Sequence, residues 1–112
     1  MKIILQIPSV DPNAGMFYWG GTPLIRAVEW GALEAVKLLL KDVRVDVNAV
    51  DRNGRTALHA ACSSRRPRIV EALLADSRTD VNCHQCTGTT PLMSAAQVGS
   101  QEAVELLLQD VR

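Results

Sequence analysis

The sequence predicts an all-α repeat protein, a solenoid of helix–turn–helix units joined by short β-turn fingers. Three observations carry that prediction. Thr22-Pro23-Leu24, Thr56-Ala57-Leu58 and Thr90-Pro91-Leu92 recur at an interval of 34 residues, with Gly20, Gly54 and Gly88 ahead of them in the same phase. Lys41-Asp42-Val43-Arg44 returns in that phase as Ala75-Asp76-Ser77-Arg78 and Gln109-Asp110-Val111-Arg112, and Asp46-Val47-Asn48 as Asp80-Val81-Asn82. The second half of each copy then carries an apolar stripe of helical period. In-phase copies without slip describe like units that bury one another's apolar faces by stacking.

Each copy opens on a turn. Asp51-Arg52-Asn53-Gly54 and Gln85-Cys86-Thr87-Gly88 combine glycine with side chains that bond their own backbone. Thr22, Thr56 and Thr90 follow as N-caps, whose hydroxyl oxygen accepts from an otherwise unpaired N–H of the first helical turn. Pro23 and Pro91 stand at the first helical position, where proline forfeits no helix hydrogen bond.

The first helices are short and alanine-rich, so neighbouring backbones can come close. Gly31 and Gly99 end two of them with the left-handed conformation that glycine adopts freely. Arg65 occupies the matching place in the middle copy, which predicts a strained or reshaped corner. The second helices present Leu33, Val36, Leu39 and Leu40 on one face, then Ile69, Val70, Leu73 and Leu74, then Val104, Leu107 and Leu108. Pro67 opens the middle one, where it is tolerated.

Composition narrows the function classes. The 112 residues are 47% hydrophobic and 21% charged, a folding balance rather than a disordered one. Twelve basic and twelve acidic residues cancel, so no net field draws the chain to nucleic acid or anionic lipid. The apolar runs Ile3-Ile4-Leu5 and Leu38-Leu39-Leu40 are far too short to span a membrane. The same N-terminal run is broken by Gln6 and Pro8 before it could serve as a signal peptide. Three cysteines are too few for a disulfide scaffold and point to the cytoplasm or nucleus.

The stretch Asp51-Arg52-Asn53-Gly54-Arg55-Thr56-Ala57-Leu58-His59-Ala60-Ala61 resembles the ankyrin repeat family, whose pattern runs D-x-x-G-x-T-P-L-H-x-A-A, then a glycine, a leucine-rich helix and D-V-N-A. The resemblance covers nearly the whole chain. It implies a tail of a truncated preceding repeat over 1–14, repeats over 15–48 and 49–82, and a third, truncated repeat without a C-terminal cap over 83–112. Ile3 to Ala14 aligns without gaps on Leu38 to Ala49, and the expectation is a segment of a longer array. Each unit is one residue longer than the common form between the second helix and D-V-N. Only the middle copy keeps the histidine, Ile25 and Met93 replacing it in the others; the resemblance makes His59 structural, bonding backbone near the next turn.

In that family the finger tips and the outward side of the first helix form a concave partner-binding surface. Carried over by position, the surface comprises Phe17, Tyr18, Trp19, Glu29 and Trp30, then Arg52, Asn53, Arg55 and Ser64, then His84, Cys86, Gln97 and Val98. All four aromatic residues of the chain fall on it, as a binding hot spot would require, although the Phe17–Trp19 turn could equally fold back as an N-terminal cap. The resemblance also suggests Asn48 and Asn82 as asparagine-hydroxylation sites, against the plainer role of an amide that ties a turn.

Other chemistries find little support. Cys83-His84-Gln85-Cys86 looks like half a zinc site, but the only further ligands are His59 and Cys62, about twenty residues upstream, where a structural zinc needs four. No nucleophile has an identifiable base, and no phosphate-binding loop occurs. Arg65, Arg66 and Arg68 around Pro67 read as a solvated corner. The expectation is therefore a monomeric, non-catalytic module without metal or cofactor that binds another protein, not nucleic acid or membrane; the alternative is an architectural spacer in a longer array.

Overall fold

The computed structural model describes residues 12–13, 21–84 and 88–110. Six helices lie among them: α1 Pro23–Glu29, α2 Leu33–Lys41, α3 Ala57–Ser63, α4 Pro67–Leu74, α5 Pro91–Gln97 and α6 Gln101–Gln109. They form two layers. The short first helices stack as α1, α3, α5, and the longer second helices stack behind them as α2, α4, α6, each packed on its partner within the repeat.

Local chemistry sets these boundaries. The hydroxyls of Thr22, Thr56 and Thr90 each accept at 3.3 Å from the N–H three residues on, Ile25, His59 and Met93 respectively. At the other end α1 closes with paired bonds, Gly31 N–H to Val28 O at 3.0 Å and Ala32 N–H to Ala27 O at 2.9 Å. This pairing requires a left-handed residue, and Gly31 and Gly99 supply it with φ of 70° and 69°. Arg65 does the same with φ 54°, and its neighbours keep the bonds of the motif. The corner is strained and not reshaped, at a cost of roughly 1 kcal/mol.

Burial follows the expected stripes. Leu24, Ile25, Val28, Val36, Leu39, Leu58, Ile69, Val70 and Leu73 form the core, and all of Ala57–Cys62 in α3 is buried between its neighbours. One expectation fails. Leu108, in phase with the half-buried Leu40 and Leu74, is 67% exposed, because no described residue packs over it; Val104, Leu106 and Leu107 carry that helix instead. Leu92 and Met93 in α5 are exposed as well.

Side chains of one repeat reach the main chain of the next. Asn48 donates to Arg78 O at 2.8 Å and accepts from the Asp80 N–H at 2.7 Å, and Asn13 treats Arg44 O and Asp46 N–H identically at 2.7 Å each. Asp76 holds Arg78 through two oxygens while that guanidinium donates back to Leu40 O and Val45 O. At the equivalent Asp42, the hydrogen bonds from the Arg44 side chain and N–H lower the carboxyl pKa to about 2.

Candidate functional site

The outward face of α1 runs Arg26, Glu29, Trp30, positions three and four apart that share one side of a helix. The same positions are Ser63 and Ser64 at the end of α3, and Gln97 and Val98 at the end of α5. In front of this row stands the finger that precedes α3. Its hub is Asp51, whose Oδ1 accepts from the N–H groups of Asn53 at 2.9 Å and Arg55 at 3.0 Å, while Oδ2 takes the Arg55 Nε–H at 2.9 Å. The Asp51 N–H closes the turn on Arg55 O at 2.9 Å, and Gly54 allows it with φ 78°. Burial alone would raise the Asp51 carboxyl, but the donors from Arg55 and Asn53 outweigh it and hold the pKa below its ordinary value.

Finger and helix are joined across 26 residues of sequence. Arg55 Nη2 pairs with Glu29 Oε2 at 2.9 Å, and Arg26 Nη1 donates to Glu29 Oε1 at the same distance. The chain Arg26–Glu29–Arg55–Asp51 therefore alternates in sign and borders a small cleft of about 110 Å³ with Asn53 at its edge. These pairs are part-buried, so each contributes modestly to stability, and their structural effect is to fix the finger angle. Trp30 continues the row beyond them and is 81% exposed.

Not every expected residue behaves alike. Arg52, Asn53, His84 and Gln97 are exposed, Ser64 and Val98 half-buried. Glu29 and Arg55 are committed to each other, so they shape the surface more than they offer charge to a partner. Phe17, Tyr18, Trp19 and Cys86 lie outside the described residues. Asn48 spends both ends of its amide on the next repeat, as the plain reading of that position requires, whereas Asn82 is exposed. Arg26 and Asp51 are the residues the sequence reading passed over; the spacing of Arg26 to Glu29 was the available signal, an opposite-charge pair at i, i+3.

His59 is fully buried and engaged at both ring nitrogens. The Thr56 N–H must donate to Nδ1, at 3.1 Å, so the proton sits on Nε2 and is donated to Thr89 O of the next finger at 2.8 Å. Burial holds its pKa below the ordinary value, partly opposed by the bonds to the Thr89 and Cys83 backbone. A neutral imidazole with no lone pair to spare is a structural clamp. Burial also pushes the Cys62 thiol up to about 12 and raises that of Cys83. Among the described residues no three His, Cys, Asp or Glu side chains converge as a metal site would need, and no helix is long and apolar enough to cross a membrane.

Comparison with known proteins bears on this geometry. A family model described as ankyrin repeats, three copies, matches residues 1–85 and 43–112, together the whole chain. Human Rabankyrin-5 is 44% identical over 52 residues, 46% of this chain and 4% of that protein. The human 2-5A-dependent ribonuclease is 50% identical over 46 residues, 40% of this chain and 6% of that protein. The chain thus matches only a small part of the length of either relative.

Proposed function

The chain belongs to the ankyrin repeat family, and from that premise we propose that it is a non-catalytic module binding another protein through the concave face of fingers and first helices. Ankyrin repeats are generally protein-interaction modules; the face and its anchors are the part proposed here. The observation that carries the reading is Trp30: a large aromatic side chain, 81% exposed, at the end of a row whose other charged members are locked together. Such a residue costs free energy in water and recovers it only when a partner covers it. Its rigid surroundings limit the entropy lost on binding. Arg52 and Asn53 would give the polar rim. The reading takes the chain as a monomer in the cytoplasm or nucleus, and its zero net charge gives no support to nucleic-acid or membrane binding.

The test is partner capture by the wild-type chain and by Trp30→Ala, each first matched for helical circular dichroism and melting temperature, followed by measured Kd values. Loss of about 2 kcal/mol, roughly thirty-fold in Kd, is expected for a hot-spot tryptophan. A change below about threefold would remove Trp30 as an anchor and favour the spacer reading.

A further inference from the structure

Beyond the finger face, the opposite end of α3 carries a second feature. Four arginines of this chain, Arg26, Arg44, Arg55 and Arg78, pair with carboxylates at 2.7 to 2.9 Å. Arg65, Arg66 and Arg68 do not: among the described residues none lies within ion-pair distance of an acid, and all three are exposed. Two of them are nonetheless held in place. Arg65 donates through Nη2 to Val98 O at the end of α5, and Arg66 through Nη2 to Glu29 O at the end of α1, at 3.5 Å. The Arg66 guanidinium also lies over Gly31, 2.7 Å from where a Cβ would stand. Each of these two spends one donor on a carbonyl and keeps the rest of its fork for an acceptor.

Between these arginines opens a groove of about 330 Å³ with an apolar floor of Leu33, Pro67 and Ile69. That volume suits one or two side chains of an extended peptide, at the small end of ligand sites. Fixed guanidinium groups match carboxylates in geometry as well as charge. A polyanion is a poorer match. Glu102 and Glu105 line the cavity beside Arg65, and Glu71 joins them beside Arg68. These carboxylates bound the corner and limit it to a short acidic segment seated between them, whereas a long phosphate backbone would cross them, and three contacts release few counterions.

We propose that this corner is a docking groove for a short acidic segment of a partner protein, which sets an apolar side chain on Leu33 and Ile69 and carboxylates against Arg65, Arg66 and Arg68. The groove shares no lining residue with the finger cleft, although it adjoins the Trp30 end of that face through Glu29 O and Gly31.

Fluorescence anisotropy of a labelled peptide, Glu-Glu-Leu-Glu-Glu-Leu-Glu-Glu, against the whole chain tests this. The controls are the same peptide with lysine for glutamate and a twenty-nucleotide poly-dT strand. Arg68→Glu is the main variant, because among the described residues Arg68 makes no hydrogen bond or ion pair; Arg66→Gln is the second. Saturable binding of the acidic peptide alone is expected, weakened about tenfold by Arg68→Glu and severalfold by Arg66→Gln. The finger variant Arg52→Ala should leave it within a factor of two. No acidic-peptide binding at millimolar concentration, equal binding to Arg68→Glu, or tighter binding of poly-dT would each overturn the proposal. Loss of binding in Arg52→Ala would move the site to the finger face.

Discussion

Replacing His59 with leucine should loosen the joint between the middle repeat and the one that follows, by an amount the geometry allows to be worked out. The substitution roughly keeps side-chain volume, so little cavity forms. It removes the acceptor of the Thr56 N–H and the donor to Thr89 O, leaving two polar main-chain groups unsatisfied where Thr56 is buried and Thr89 half-buried. Each such group costs about 1–3 kcal/mol, and the gain from burying leucine offsets part of the sum, so about 3 kcal/mol is expected. With a urea slope of about 2 kcal/mol per molar, the midpoint falls by about 1.5 M.

The same variant removes a pH dependence. Because the folded state lowers the His59 pKa, the unfolded chain binds more protons in the window just below the ordinary value of 6.5. Stability from this group is therefore complete above that pH and is lost as pH falls towards the folded pKa, with a slope of at most about 1.4 kcal/mol per pH unit. Urea titrations followed by circular dichroism at pH 7.5, 6.0 and 5.0 should show that slope in the wild type and a shallower one in His59→Leu. A loss below about 1 kcal/mol at pH 7.5, or an unchanged slope, would refute the clamp.

Asn48→Ala should cost about 2 kcal/mol in chemical denaturation, since both ends of its amide bond the next repeat. Gly31→Ala and Gly88→Ala both force alanine into left-handed backbone, at about 1 kcal/mol each by melting temperature; Gly31 should be slightly worse, because the Arg66 guanidinium must also move. In a Cys86→Ser background, thiol titration at pH 8 should modify Cys83 readily and Cys62 only after denaturant is added, because Cys62 is fully buried and its thiolate is disfavoured.

The sequence made the layout legible because its signals are local. A threonine cap, a proline beside it and a left-handed glycine each act within one turn, so a 34-residue phase suffices to place α1 to α6. The strain at Arg65 could be read from its place in the alignment, but the grip of its guanidinium on Val98 O could not. That contact spans 33 residues and depends on how α3 and α5 stack. The same holds for Arg55 and Glu29: each stood among the expected surface residues, yet their pairing spans 26 residues and depends on how the finger stands against α1. Leu108 misled because helical period assigns a face without saying what covers it. Phe17, Tyr18, Trp19 and Cys86 lie outside the described residues, and their assignment rests on the sequence alone.

The clasp made by Asn13 and Asn48 has a consequence for how such a chain can vary. Each amide engages a carbonyl and an N–H of the following unit, groups that every residue type but proline provides in full. The joint is therefore indifferent to the side chains it meets. Residues on the exposed rows and finger tips can drift, or be rewritten by an engineer, without loosening the stack. Units exchanged in whole 34-residue steps should still find their neighbours' handholds. An insertion between Asn48 and Arg78, by contrast, must loop out entirely at the finger, or it pulls the carbonyl out of reach.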